Sequence, residues 1–258
     1  MACWHQGRAS GCLVAAAIVE VTLNMTVLTG DESFDIFDAE AARLDRFFGT
    51  LDGDGWLQPS RCAGWSVRDV LAHLAGEEAY NHACLNGDLD GFFAWLRREG
   101  VAGEGFGAFN QWCVHTRQHV PVGEVLAEWR AANSETRHRM RQLGREGILQ
   151  TSAGPYPAGL QAFHYDSELA THSDDVGVPV GRAEDGPRTR WRAVFGAFAL
   201  AEQDRSVTVD VADGTIRVSY QGQDAELSPH DFVEATVCRL ADGAPVPAWL
   251  RTVLCCLA

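Results

Sequence analysis

The sequence predicts a mainly α protein: an up-and-down four-helix bundle followed by a small α/β C-terminal domain with a short antiparallel sheet. Three observations predict it. Apolar residues recur at intervals of three and four through most of the first 180 positions. The helices so marked are long and joined by short links, as in a bundle. Beyond Gly186 the period switches to two, with Val207, Val209 and Val211 alternating with Thr208 and Asp210.

In chain order, Asp35–Leu51 sets Phe37, Ala41, Leu44, Phe48 and Leu51 on one helical face, and Gly53 and Gly55 end it. Ser66, followed three residues later by Asp69, makes a capping-box-like start for a second helix. Val67, Val70, Leu71 and Leu74 form its buried stripe, which runs to about Cys84. Asp88–Arg98 is a short amphipathic helix, Phe109–Val120 another, and Val122–Leu143 a long one with Val125, Leu126, Trp129, Ala132 and Met140 on its apolar side. Gly144–Pro157 reads as loop, with Gly154-Pro155-Tyr156-Pro157 as a rigid turn. Ala158–Val176 is helical and is stopped by Gly177 and Pro179. Arg188–Glu202 is one more helix. Strands at Val207–Val211, Ile216–Tyr220 and Ala225–Leu227 follow, with turns at Asp213-Gly214 and Gly222-Gln223, and Pro229–Leu240 returns to helix. The expected domains are residues 31–180 for the bundle and 187–258 for the α/β unit.

Residues 1–30 are expected to be a disordered extension. Their single Arg and short apolar run loosely imitate a signal peptide, but Glu20 interrupts the run and no A-x-A site follows. The run is too short to span a membrane, so the expected location is cytoplasmic. The formal net charge of −14, from 35 acidic against 21 basic residues, repels phosphate backbones and acidic lipid. Nucleic-acid and membrane partners are therefore not expected. Eight cysteines are scattered without a C-x-x-C pair, which points to reduced, buried or semi-buried thiols rather than a zinc cluster or disulfide framework.

The chemistry is concentrated in FHYDSELATHSDDVG, residues 163–177. Glu168 and His172 stand four apart, which on a helix makes them neighbours on one face, about 5–6 Å between Cβ atoms. A carboxylate and an imidazole so placed can close on one metal ion. A third ligand is offered by His73 in GWSVRDVLAHLAG. Two histidines, one carboxylate and an open position describe a catalytic zinc site, and an open facial set also suits iron or nickel. His164 lies on the same face as Glu168 and His172, as a reserve ligand or substrate contact; the spacing alone leaves open a set with His164 in place of His73. Asp175, one turn beyond His172, either orients the second nitrogen of that ring or is a solvated acid at the helix end. His82, His115, His119 and His138 follow no ligand spacing, and the sequence has no nucleophile-elbow serine, P-loop or strand-borne G-x-G-x-x-G.

GWSVRDVLAHLAG is similar to the N-terminal signature of the mycothiol-dependent maleylpyruvate isomerase-like family, part of the DinB-like metal-binding four-helix-bundle superfamily. ELATHSDDVG resembles its second signature, and the resemblance covers roughly Asp35 to Val180. It implies a divalent metal, usually zinc, held by His73, Glu168 and His172, and a low-molecular-weight thiol, mycothiol, as cosubstrate. It further implies that the metal lowers the pKa of the bound thiol and that the thiolate adds to a small-molecule electrophile, by isomerisation or by net S-transfer. Arg61 and Arg117 are, with His164, the candidates for contacts to the cosubstrate. The expected assembly is a monomer or homodimer. A metal-dependent hydrolase using bound water and a non-catalytic metal-binding protein of the same fold remain the alternative functions.

Overall fold

The structure is a computed structural model and describes residues 32–101, 106–203, 205–212 and 214–257. The expected extension, residues 1–30, lies outside the described residues. The chain divides into two compact units, Asp31–Val178 and, towards the C-terminus, Pro179–Ala258.

In the first unit, α1 (Glu32–Phe48), α3 (Val67–Asn86), α6 (Val122–Leu143) and α7 (Ala158–Asp175) form the bundle. The short α2 (Gly53–Trp56) precedes α3, and α4 (Leu89–Arg98) and α5 (Phe106–Arg117) lie between α3 and α6. Helix α1 packs on α7 and α6, and α3 packs on α6 and α5. The apolar stripes read from the sequence meet in one core, where Phe37, Leu44, Phe48, Leu71, Trp129 and Met140 are at most 2 % exposed. Each such side chain contributes roughly 1.5–3 kcal/mol by its burial. A second, aromatic cluster of Tyr80, Phe92, Phe109 and Cys113 joins α4 and α5 to the far half of α3.

The start of α3 is the capping box that its sequence announces: Asp69 N–H donates to Ser66 Oγ (3.3 Å) and Ser66 N–H to Asp69 Oδ2 (2.8 Å). Its end is Gly87, at φ +65°, a left-handed position where glycine carries no Cβ penalty. Buried Glu78 ties α3 to α6 by accepting from Thr136 Oγ1 (2.5 Å) and Asn133 Nδ2 (2.8 Å), and it also accepts from Asn81 Nδ2 (3.1 Å). Gly76 lets α5 approach closely, for a Cβ there would stand 2.5 Å from the Cβ and Sγ of Cys113.

The segment expected to be a loop, Gly144–Pro157, contains a hairpin, β1 (Ile148–Thr151) with β2 (Gly154–Pro157). Prolines at 155 and 157 hide it from a strand pattern because they donate no ladder bond. The pair is nevertheless two-stranded and edge-like, and it buries Leu149 opposite Tyr156.

The second unit begins with α8 (Arg182–Glu202), six residues earlier than the expected start. Pro187 removes one intrahelical N–H, but residues 182–187 are exposed, so water can take the freed carbonyl. Strands β3 (Thr208–Ala212), β4 (Thr215–Tyr220) and β5 (Gln223–Leu227) form an antiparallel sheet in the order β3-β4-β5. Its buried face, Ile216, Val218 and Leu227, packs with α8, α9 (Pro229–Thr236) and α10 (Ala248–Leu254). Helix α9 ends before the expected Leu240 because Cys238 adopts φ +57°. Cys238 is joined to Cys255 in a disulfide across 17 residues, which corrects the expectation that all the thiols are reduced. Two cysteines so far apart in sequence, on either side of α10, show no pairing pattern before the fold brings them together. No helix among the described residues is long and apolar enough to cross a membrane.

Candidate metal centre

Helices α3 and α7 face each other with His73 on one and Glu168 and His172 on the other. His73 Nε2 is 3.2 Å from Glu168 Oε1, and His172 Nε2 is 3.9 Å from the same oxygen. One donor atom from each of the three residues lies within 4.8 Å of the others. Of the two candidates for a third donor, His73 lies beside Glu168 and His172. His164 belongs to no donor cluster among the described residues; its Nε2 lies 3.4 Å from Tyr156 Oη on β2.

The two histidines are supported unequally. His172 Nδ1 is 3.1 Å from Asp175 Oδ2, and the Cys62 thiol donates to that same oxygen at 3.1 Å. Asp175 is therefore the orienting partner, one of the two roles open to it from sequence, and it leaves His172 Nε2 facing Glu168. Cys62 is positioned by a tight loop: its N–H donates to Ser60 Oγ (3.1 Å), Ser60 N–H donates to the carbonyl of Trp65 (2.9 Å), and Gly64 takes φ +80°. Arg61 N–H docks the loop onto the end of α7 by donating to the Asp175 carbonyl (2.9 Å). His73, by contrast, has a buried Nδ1 without a partner; its ring is held by Nε2 against Glu168 and by packing, with the Trp65 ring centroid 5.3 Å away.

Sequence reasoning missed Glu77 and Cys62. Glu77 repeats on α3 the His-to-Glu spacing of four that marks α7, and its Oε2 lies 3.7 Å from His73 Nε2. That signal was available in HLAGE. Cys62 carried none, since its partners are more than 100 residues away. Glu77 and Glu168 also line a small pocket with Asn81, Asn133 and Tyr165, and the buried Asn81 Oδ1 and Tyr165 Oη have no hydrogen-bond partner.

The charges are set by this packing. Burial lowers the pKa of His73, against the hydrogen bond its Nε2 makes to Glu168, so its ring is neutral at neutral pH. Burial, with the charge and hydrogen bond of Glu168, pushes Glu77 well up. Burial would also raise Glu168, but hydrogen bonds from His73 and Glu77 and the charges of both histidines hold it below the usual carboxylate range. The two carboxylates thus share one proton. For His172 burial acts downward and is outweighed by the hydrogen bonds with Asp175 and Cys62, which bring it up to about 9.

The donor set fits a divalent cation: two imidazole nitrogens and a carboxylate converge from two rigid helices, with the second carboxylate of Glu77 beside them. Of the expected cosubstrate contacts, Arg61 is exposed in the loop next to Asp175. Arg117 is engaged elsewhere: its guanidinium grips Glu128 on α6 (2.5 and 3.2 Å) and donates to the Cys113 carbonyl (3.1 Å).

The solved structures similar to this chain include the mycothiol-dependent maleylpyruvate isomerase (TM-score 0.61) and a histidine-to-alanine mutant of it (TM-score 0.59). Each is 15 % identical and covers 84 % of this chain and 94 % of its own, a likeness of fold. A search of curated proteins found no match. The profile of the mycothiol maleylpyruvate isomerase N-terminal domain matches residues 37–177, a span that takes in His73, Glu168 and His172. With more than half of its length so matched, the chain belongs to the mycothiol maleylpyruvate isomerase N-terminal domain family.

Proposed function

We propose that the protein is a metal-dependent, mycothiol-dependent S-transferase or isomerase acting on a small-molecule electrophile. The observation that carries this reading is the convergence of His73, Glu168 and His172 within one family-matched bundle. These three residues would hold a divalent cation, taken as zinc from the family resemblance, since the donor set itself also suits iron or nickel. When bound, such a cation supplies Lewis acidity that favours a thiolate over a thiol at neutral pH. No cysteine of the chain is needed as nucleophile.

The chain's own residues have distinct tasks. Asp175 fixes the tautomer of His172 by accepting from Nδ1. Glu77 holds a proton beside the centre and can exchange it with a bound substrate. Arg61 and His164 are the contacts assigned to the cosubstrate; Arg117 is bound to Glu128 and serves to join α5 to α6. The location assigned is the cytoplasm, and the assembly a monomer or homodimer.

The test combines metal analysis with turnover. Purified protein should contain one equivalent of zinc at the centre and consume a panel electrophile only when mycothiol is present, and His172→Ala should lose both properties. A protein that binds no divalent ion, or turns over equally without thiol, would overturn the proposal; the second result would favour the hydrolase.

A further inference from the structure

On the far side of His172 from the His73–Glu168 centre stands a second donor set. Cys62 Sγ is 3.8 Å from His172 Nδ1 and 3.1 Å from Asp175 Oδ2, and His172 Nδ1 is 3.1 Å from Asp175 Oδ2. Donors about 2.0–2.3 Å from one tetrahedral ion stand roughly 3.4–3.6 Å from one another. The observed separations bracket that value, so little movement separates the hydrogen-bonded trio from a coordinating one. We propose that Cys62, His172 Nδ1 and Asp175 form a second cation site, selective for thiophilic divalent ions, that shares the His172 ring with the first.

Three features support a site over a chance cluster. The donors come from a loop and a helix that are docked to each other by the Arg61 N–H bond to the Asp175 carbonyl. Cys62 is placed by its own loop, through Ser60 Oγ, rather than by its contact with His172. Asp175 and His172 are buried whereas Cys62 is half-buried, so the trio meets solvent at the sulfur. The sulfur selects zinc, cobalt or cadmium over magnesium or calcium.

The sharing of one ring fixes the order of filling. The first centre uses His172 Nε2 and leaves its Nδ1 proton in place. An ion at the second site displaces the Cys62 thiol proton and the His172 Nδ1 proton to solvent, so the ring becomes an imidazolate between two cations. The second ion therefore binds more weakly and appears only with excess metal. It also takes Asp175 away from its hydrogen bond with His172, so excess thiophilic metal acts as an inhibitor. This last consequence rests on the proposed function; the site itself does not.

Cobalt(II) titration of the metal-stripped full-length protein tests the proposal, with the Cys238–Cys255 disulfide left intact. Wild-type protein should take up two ions, the second accompanied by near-ultraviolet thiolate-to-cobalt charge transfer. Cys62→Ser should bind one ion without that absorption, as should Cys62→Ala. His73→Ala should lose the first ion yet keep the charge-transfer signal. Saturation of wild-type protein at one ion without charge transfer would overturn the proposal, and so would charge transfer that survives in Cys62→Ser. If His73→Ala instead bound two ions like the wild type, the first centre would be refuted while the second stood.

Discussion

Replacing Asp175 by Asn separates two effects of one hydrogen bond. The amide oxygen can still accept from His172 Nδ1, but the charge is gone. In the metal-free protein Asp175 helps to bring His172 up to about 9, so at pH 7 an incoming ion must displace a proton. Two pH units below that value the competition weakens metal binding roughly 100-fold, and wild-type affinity should rise about tenfold per pH unit until the ring is deprotonated. In Asp175→Asn the dominant remaining influence is burial, which acts downward, so His172 returns toward or below its ordinary 6.5 and this slope disappears from neutral pH upward. Against that gain stands the loss of an orienting carboxylate, worth about 10- to 100-fold in metal affinity, or about 1.4–2.7 kcal/mol. The two effects oppose each other at neutral pH and do not at high pH. Wild type and variant should therefore bind zinc with similar affinity near pH 7, and wild type should be 10- to 100-fold tighter above pH 9. Competition with a chromophoric chelator, at less than one ion per chain, measures the ratio at each pH, and proton losses common to both proteins cancel in it. A ratio that stays constant across pH, or a variant that binds tighter at pH 9.5, would refute the reasoning.

Four further outcomes are expected. In the metal-free protein the raised pKa of His172 contributes stability that is fully present below pH 6.5 and lost as pH climbs through about 9, so the unfolding free energy from urea titration should fall over that window by up to about 3 kcal/mol. Glu78→Ala removes the acceptor of three buried donors and should cost roughly 3–5 kcal/mol in the same assay, with a smaller loss in Glu78→Gln. Gly76→Ala forces a methyl onto Cys113 and should cost roughly 1–3 kcal/mol by chemical denaturation. Cys255→Ser opens the 17-residue disulfide loop and should cost about 3 kcal/mol, read as a lower melting temperature of the C-terminal unit.

The bundle was legible because its long helices carry apolar stripes and are followed by glycine, and α3 adds a capping box of its own. Val122–Leu143 could be read to the residue from its periodicity and flanking Pro121 and Gly144. The β1–β2 hairpin was hidden because its prolines erase the strand pattern, and α8 was cut short because Pro187 resembles a boundary. At the site, Glu168 and His172 announced themselves by local spacing. Glu77 stands at that same spacing from His73 on α3, in the reverse order of carboxylate and imidazole. Cys62 and Asp175 meet across 113 residues, and no local pattern encodes that meeting. The same holds for Cys238 and Cys255, whose pairing is a property of the folded α9–α10 corner.

The division of the proposed centre into a pair on α7 and a single histidine on α3 has an evolutionary consequence. The spacing within the pair is fixed by helix geometry, so the one free coordinate of the centre is the distance from α7 to the turn of α3 that bears His73. That turn leans, one helical turn further on, against α5 through Gly76, where side-chain volume is tightly limited. Substitutions at the α3–α5 contact can therefore retune the gap between the histidines while every ligand stays the same. Relatives with identical donor residues need not prefer identical metals, and the differences should be sought in the packing behind α3 before they are sought at the ligands.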